Sequence, residues 1–416
     1  MPYLFAIVLL IAPLYVWRFS IGGLPTNFLM VANFVAIAIG LVVLLMEYKS
    51  SGKEVLNRFK TSLTGIGKPL LIGILLVGVA SVISLVAFGF DAEKFAQWIV
   101  LYFQPLAIFV LIRHFSDSDS RVAEYFKTIA YIMVGVAGVL AVIQYFTLYT
   151  LPTEWWGNTN EPKRAIAYFA HANAFGLFVT PLLAWLIPDA VKRLQTAWKD
   201  FQKGPVSLGI VKDYWINVFS VMAWLLGGVG IFLSLSRGAW FGLAFVVGLY
   251  VLLSANKKML TGFLMAGLVL IGIIAATPNL RYRILLPFHG EKSAVARLSL
   301  WDTGYKMILD NPILGKGVNG FSNNWDKYNT DPNLEHYNFP HNIFLNFWVD
   351  LGLLGLLGMM MVLANTVWQG LKKSRTNFAL ASTLFVSAII VHGLIDIPYL
   401  KNDLALVFWM VLALRK

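Results

Sequence analysis

The chain has 416 residues; 58% are hydrophobic, only 13% are charged, and the mean hydropathy is +0.70. Soluble domains carry about 25% charged residues, so the composition excludes a soluble globular fold, and length counts membrane spans here rather than domains. The absence of cysteine excludes disulfides, a thiolate nucleophile and a cysteine-ligated metal, while the net charge of +12 sits mostly in short loops between apolar runs, a placement that calls for no nucleic acid.

A span needs about 20 apolar residues, fewer where the membrane is thin. Such runs are predicted near 3–17, 28–46, 69–90, 96–112, 125–149, 166–187, 215–234, 238–254, 259–277, 342–366, 377–396 and 404–414. The fold class is therefore an all-α integral membrane protein of about twelve transmembrane helices. Residues 1–416 are expected to form a single polytopic membrane domain. The first run lacks a basic flank and a small-residue cleavage site, so it reads as a span rather than a removed signal peptide. Internal repeats and low-complexity tracts are absent from the sequence.

Basic residues set the expected orientation. One set of connections and ends holds Lys49, Lys53, Arg58, Lys60, Lys68, Arg113, Arg121, Lys127, Lys192, Arg193, Lys199, Lys203, Lys212, Lys257, Lys258, Lys372, Lys373, Arg375, Arg415 and Lys416. The alternate short loops hold Arg18, Lys94, Lys163, Arg164, Arg237 and Lys401. The richer set is assigned to the cytoplasm, with both termini inside.

One outer connection is long. Residues 278–341 are polar, with Trp301, Trp325 and many Asn, Asp and Gly. A structureless loop of that length is uncommon unless it is functional, so the segment is expected to pack over an active-site cavity. Within it, Arg297 to Leu309 places apolar positions 298, 301, 305, 308 and 309 on one helical face. The spacing predicts an amphipathic helix lying on the outer surface, ended by Asn311-Pro312.

The residues able to carry chemistry gather at this boundary. His341, in Pro340-His341-Asn342, stands at the mouth of an apolar helix. The positive end of a helix dipole disfavours imidazolium, so a neutral ring able to accept a proton is expected. Asn342, Asn346 and Asp350 recur at i, i+4 as a polar stripe, and Gly352, Gly355 and Gly358 form a small-residue stripe suited to close packing. The alternative for His341 alone is a helix-capping role. Arg164, Arg237 and Arg297 are all predicted outside, where arginine is scarce. Guanidinium groups match phosphate oxygens in a bidentate manner, so three converging forks would hold a diphosphate and stabilise it as it leaves. The competing account is snorkelling, or pairing with Glu161 or Asp302. His392 and Asp396 end the eleventh span, either lining the same cavity or forming a structural pair. Scattered outer acids argue against a metal site. Gly315-Lys-Gly317-Val-Asn-Gly320 follows no strand, and a tight turn after Pro312 accounts for it better than a nucleotide site.

These residues also carry a resemblance. His341-Asn342 followed nine residues later by Gly352-x-x-Gly355 resembles the signature of the O-antigen ligase and O-antigen polymerase family of bacterial envelopes. Ser236-Arg237-Gly238-Ala239-Trp240 resembles a second family motif, as do Trp301 with Asn311 to Gly317, Arg164 with His171-Ala172-Asn173, and His392 to Asp396. The similarity covers roughly the last 250 residues. It implies a metal-independent, inverting glycosyltransferase that needs no cofactor and takes a glycan from undecaprenyl diphosphate on the outer face of the bacterial inner membrane. The implied acceptor is a lipid A core sugar in ligases, another lipid-linked glycan in polymerases, or a protein in other relatives. By position His341 is the implied catalytic residue; Arg164, Arg237 and Arg297 are the implied diphosphate ligands. Asn342, His171, Asn173, Trp301, His392 and Asp396 are supporting residues. The rival class is a flippase for the same lipid-linked glycan, which would place its charges nearer mid-membrane; a structural scaffold ranks last.

Overall fold

The computed structural model describes residues 2–116, 121–149, 151, 164–202, 208–254, 256–285, 292–332, 334–372 and 376–414. The chain is helical nearly throughout: α1 (Pro2–Leu10), α2 (Phe28–Thr64), α3 (Lys68–Ala87), α4 (Ala92–Trp98) running through one π-type turn into α5 (Gln104–Ser116), then α6 (Val122–Thr147) and α7 (Ala172–Gln202). It continues with α8 (Leu208–Leu233), α9 (Arg237–Ser254), α10 (Lys257–Ala276), α11 (Pro278–Leu285) and α12 (Lys292–Asp310), and closes with α13 (Ile343–Leu371), α14 (Asn377–Gly393) and α15 (Asn402–Ala413). Side chains set several starts: Asn27 accepts from the Met30 amide, Asp91 from Lys94, Asn256 from Met259, and Thr376 from Ala379.

Among the described residues, nine helices are long and apolar enough to cross a membrane, against the twelve spans expected. The difference lies in short elements: α1 has 9 residues, α14 has 17 and α15 has 12. At about 1.5 Å per residue, α15 reaches only about 18 Å, short of a hydrocarbon core of about 30 Å. It has no need to meet lipid, because it is enclosed by protein: Phe408, Trp409 and Met410 are fully buried. A second departure is a hairpin, β1 (Arg18–Ile21) against β2 (Leu24–Asn27), antiparallel with Arg18 opposite Asn27. Gly22 and Gly23, with φ of 57° and 82°, close its two-residue turn, a conformation few side chains accept.

Helix α3 packs along α13, α6 and α7 along α8, α14 along α7, α9 and α13, and α15 against α5. Much of the basic set lies at one end. There Arg113 donates to the Ser62 carbonyl, and Lys127 and Arg193 close on Asp189 at 3.0 and 2.6 Å. Lys163, Lys203, Lys373, Arg375, Arg415 and Lys416 lie outside the described residues. The opposite end gathers the hairpin, the connection before α7, the turn between α8 and α9, residues 311–342, and the connection between α14 and α15.

Helix α12 spans the predicted amphipathic stretch and stops at Asp310, before Asn311-Pro312. Its packing face differs from the expected one. Leu300, Met307 and Ile308 are buried against Phe321, Trp325 and Val349, whereas Leu298, Tyr305 and Leu309 are exposed. Of the five expected face positions, only Ile308 is buried and Trp301 is half-buried. A helix can bury one apolar stripe in protein and leave the second for a bilayer surface.

The connection after α12 explains the glycine stripe. Helix α13 breaks at Gly352, where φ is 68° and ψ is −170°. The backbone of 311–316 fills the break: Leu353 N–H donates to the Ile313 carbonyl at 3.0 Å, Lys316 N–H to Val349 at 2.6 Å, and Trp348 Nε1 to Pro312 at 2.8 Å. The Gly315–Gly320 run is a turn, with φ of 73° at Gly315 and 91° at Gly317. Asp350 anchors it by accepting from the Gly320 amide at 3.1 Å, while its other oxygen accepts from Asn346 at 2.7 Å. The polar stripe of Asn346 and Asp350 is therefore a clamp on this turn. Gly358 does serve close packing, since a Cβ there would lie 2.8 Å from Leu76 Cβ in α3. Gly352 instead permits the break, and any Cβ on it would collide with the Ile313 carbonyl oxygen. Gly352→Ala is expected to lose about 2 kcal/mol or more of stability, from strain at positive φ plus the collision. A thermal melt of the purified protein in detergent checks this, and Gly358→Ala should cost less because its contacts are longer and no positive φ adds strain there.

Candidate active site

His341 is the last non-helical residue but one before α13, with a left-handed φ of 49°. Left-handed backbone costs a β-carbon-bearing residue roughly 1 to 2 kcal/mol, and three contacts hold it. Asn342 caps α13, its Oδ1 accepting from Phe344 N at 3.0 Å and Leu345 N at 3.1 Å. Its Nδ2 donates to the Leu394 carbonyl at 3.1 Å, tying the helix start to the α14–α15 connection. Trp301 Nε1 donates to the His341 carbonyl at 3.4 Å, and the Tyr337 ring meets the imidazole edge-on at 5.6 Å.

Those constraints aim the ring at Asp396. His341 Nδ1 lies 3.0 Å from Asp396 Oδ1. The carboxylate side chain is 4% exposed and the imidazole 25%. Asp396 Oδ1 also accepts from the Ile397 amide at 2.9 Å, and Oδ2 from Asn173 Nδ2 at 3.5 Å. Burial alone would raise the pKa of this group, but the hydrogen bond and charge of His341, with the charges of His392 and Arg297, outweigh it and hold the carboxyl at about 2. An ionised carboxylate can only accept, so Nδ1 carries the proton and Nε2 presents its lone pair. Among the described residues Nε2 has no hydrogen-bond partner. The pair therefore offers a proton acceptor of fixed tautomer on the more open side of the ring.

Two of the arginines approach Asp396 from different elements, one through Asn173 and one at the neighbouring carbonyl. Arg164 Nε donates to the Ser234 carbonyl at 3.0 Å and its Nη2 to Asn173 Oδ1 at 3.1 Å. Asn173 is thus shared between Arg164 and Asp396. Arg297 Nε donates to the Ile395 carbonyl at 2.8 Å, and its Nη1 to Ser293 O at 3.2 Å. Asp302, a possible partner for it, is taken by Lys306 at 2.5 Å; Glu161 lies outside the described residues. Arg237 opens α9, three residues after the carbonyl that Arg164 holds, and is half-buried. Its neighbour Gly238 lies so close to His392 that a Cβ there would come within 2.7 Å of the ring. His392 is buried against α9, while Asp396 pairs with His341. His171 lies before α7, and its basicity is lowered by partial burial and then by the positive charges of Lys401 and Arg164. Among the described residues no three His, Asp or Glu side chains gather as a metal site would require.

The structure thus links His341, Asn342, Asp396, Asn173, Arg164, Arg297 and Trp301 by hydrogen bonds, and places Arg237, His392 and His171 beside them. Sequence reading missed Tyr337, and it missed the hairpin and Lys401, which line a cavity of about 540 Å³ with His171. The only signal for these last was Arg18 and Lys401 in the basic-poor loops.

The lowered pKa of Asp396 ties the stability of the fold to pH. The ionised form is favoured in the folded state, so its stabilisation is complete above the ordinary carboxylate range and is lost as pH falls towards about 2. The melting-temperature gap between the parent protein and Asp396→Asn should therefore shrink as pH is lowered from about 4 to about 2.

Residues 221–360 match the family model described as O-antigen ligase. The matched segment contains Arg237, Arg297, Trp301, His341 and Asn342; Arg164, Asn173 and Asp396 fall outside it. The chain is also 24% identical over 209 residues to an uncharacterised protein of Haemophilus influenzae, covering 45% of this chain and 51% of that one. The match spans about half the length of that curated relative. The segment from late α8 to mid α13 is thus similar to the O-antigen ligase family, and it is set among helices long and apolar enough to cross a membrane.

Proposed function

We propose that the protein is an inverting, metal-independent membrane glycosyltransferase of the O-antigen ligase kind. It moves a glycan from undecaprenyl diphosphate to an acceptor hydroxyl on the outer face of the bacterial inner membrane, with both chain termini in the cytoplasm. The acceptor is a lipid A core sugar in the ligase form of this reading. Growth of a second lipid-linked glycan, or glycosylation of a protein, would use the same chemistry. The observation that carries the proposal is the His341–Asp396 pair, 3.0 Å apart at the mouth of α13, with Arg297 bonded to the carbonyl before Asp396 and Arg164 joined to Asp396 through Asn173.

In this mechanism the acceptor O–H donates its proton to Nε2 of His341. The oxygen forms a bond to the anomeric carbon from the face opposite the diphosphate, and the bond from that carbon to the diphosphate oxygen breaks. The electron pair leaves with the diphosphate, and configuration inverts. Asp396 keeps Nδ1 protonated and offsets the charge that appears on the ring. Arg164, Arg237 and Arg297 stabilise the departing diphosphate; their backbone anchors set two of the guanidinium planes before substrate arrives, so little reorganisation accompanies the reaction. Residues 278–341 roof the site, and the exposed face of α12 rests at the bilayer surface.

Incubation of the purified protein in detergent with an undecaprenyl-diphosphate glycan and separate lipid A core, lipid-linked glycan and protein acceptors tests the reading. A flippase would yield no product, because detergent leaves nothing to cross. His341→Ala is expected to lower transfer about 10² to 10⁴-fold with donor binding kept, and Asp396→Asn by about tenfold or more through loss of the tautomer. Arg237→Ala should reduce transfer, where a scaffold would tolerate it, and a chelator should leave the rate unchanged. An undiminished rate in His341→Ala would sink the proposed role.

A further inference from the structure

A second recess lies beside the histidine and is built mainly from parts of the chain outside the family segment. It encloses about 540 Å³, within the size range of small-ligand sites. The hairpin contributes Arg18, Phe19, Thr26 and Asn27; α4 contributes Glu93 and Gln97; and Lys401 enters from the α14–α15 connection. Asn338 and Phe339, three and two residues before His341, form part of its wall, as does His171.

The lining has a definite chemistry. Arg18 and Lys401 have no ion-pair partner among the described residues. The one lining carboxylate, Glu93, accepts from Asn319 Nδ2 at 3.4 Å. Buried Asp403 is not part of the wall. Positive charge is therefore in excess in the lining; partial burial, and then that charge, lower the basicity of His171. Donors remain on Asn27 and Asn338, whose oxygens are bonded, an acceptor on Asn319, whose Nδ2 is bonded, and Gln97 supplies both, a mixture that suits vicinal hydroxyls. Phe19 and Phe339 supply flat apolar faces on which the C–H face of a sugar ring can lie. A lipid tail would leave these polar groups unpaired at a cost of about 1 to 3 kcal/mol each.

We propose that this recess is the acceptor subsite and that it binds an acidic saccharide, one bearing carboxylate or phosphate groups, through Arg18, Lys401 and the amide wall. The assignment of this saccharide as the acceptor rests on the glycosyl-transfer reading; the binding itself does not. Phe339 of the wall lies two residues before His341, and His171 of the wall feels the charge of Arg164; on the glycosyl-transfer reading, an occupant here is the acceptor and the arginines hold the donor. An acidic acceptor would meet Lys401 and Arg18 before the catalytic pair, and selection would act on its charge.

Binding of a fluorescent trigalacturonate to the purified full-length protein in detergent tests this, with neutral maltotriose as control. Trigalacturonate should bind and maltotriose should not compete. The double variant Arg18→Ala/Lys401→Ala should weaken trigalacturonate at least tenfold, Lys401→Arg should restore most of that loss, and a melting curve near the parent's would show that the variant is folded. His341→Ala should bind as tightly as the parent, which separates this claim from the transfer chemistry. Equal affinity in the parent and the double variant, or no binding of trigalacturonate at all, would overturn the subsite. Displacement of the probe by stoichiometric phosphatidylglycerol would give the recess to a lipid headgroup and overturn it equally.

Discussion

A carboxylate buried at the edge of an apolar bundle organises this end of the molecule. An isolated buried charge costs several kcal/mol unless it is paired and hydrogen-bonded. Asp396 meets that requirement with His341 Nδ1, the Ile397 amide and Asn173, and with Arg297 held on the neighbouring carbonyl. Each partner belongs to a different element: α13, the α14–α15 connection, α7 and α12. Satisfying one charge thus fixes the relative position of four segments. The same bonds decide which imidazole nitrogen is protonated, so the electrostatic need and the chemical role coincide.

The second constraint is backbone. A continuous α13 would exclude residues 311–316, and α12 would lose its connection into the bundle. The break at Gly352 lets two carbonyls of the turn and of α13 exchange hydrogen bonds with amides across the gap. Asp350 then pins the far side of the turn through Gly320. In this way the polar segment before α13 is held to the helix at two places, Gly352 and the Asn342 cap, with His341 immediately outside the cap. The strained backbone of His341 persists because both sides of it are tied down.

The two clamps hold His341 at the same end of the molecule as the anchored arginines and the recess beneath the hairpin. The hairpin connects the two earliest elements, far in sequence from the histidine. Its Arg18 and the late Lys401 line one recess only because the chain folds back across the same end.

Composition and hydrophobic runs were enough to read a helical membrane protein, because burying backbone in lipid leaves helices as the simplest solution. Local signals also sufficed for the start of α13 at Asn342, for the stop of α12 before Pro312, and for the turn at Gly315 to Gly320, since each depends on neighbours a few residues apart. Distinguishing a lipid-spanning helix from one enclosed by protein was beyond local pattern, as α15 shows: both demand apolar residues all round. The face α12 buries was equally hidden, because Leu298 and Leu300 are alike in hydrophobicity and only the partner surface chooses between them. The partner of His341 was a choice among acids. Asp350 and Asp396 were both visible, but the sharp break at Gly352 and the bond from Asn342 to Leu394 decide which one the ring meets. Those are contacts between residues tens of positions apart, and hydrogen-bond geometry across such distances is set by the packed bundle rather than by any segment of the chain.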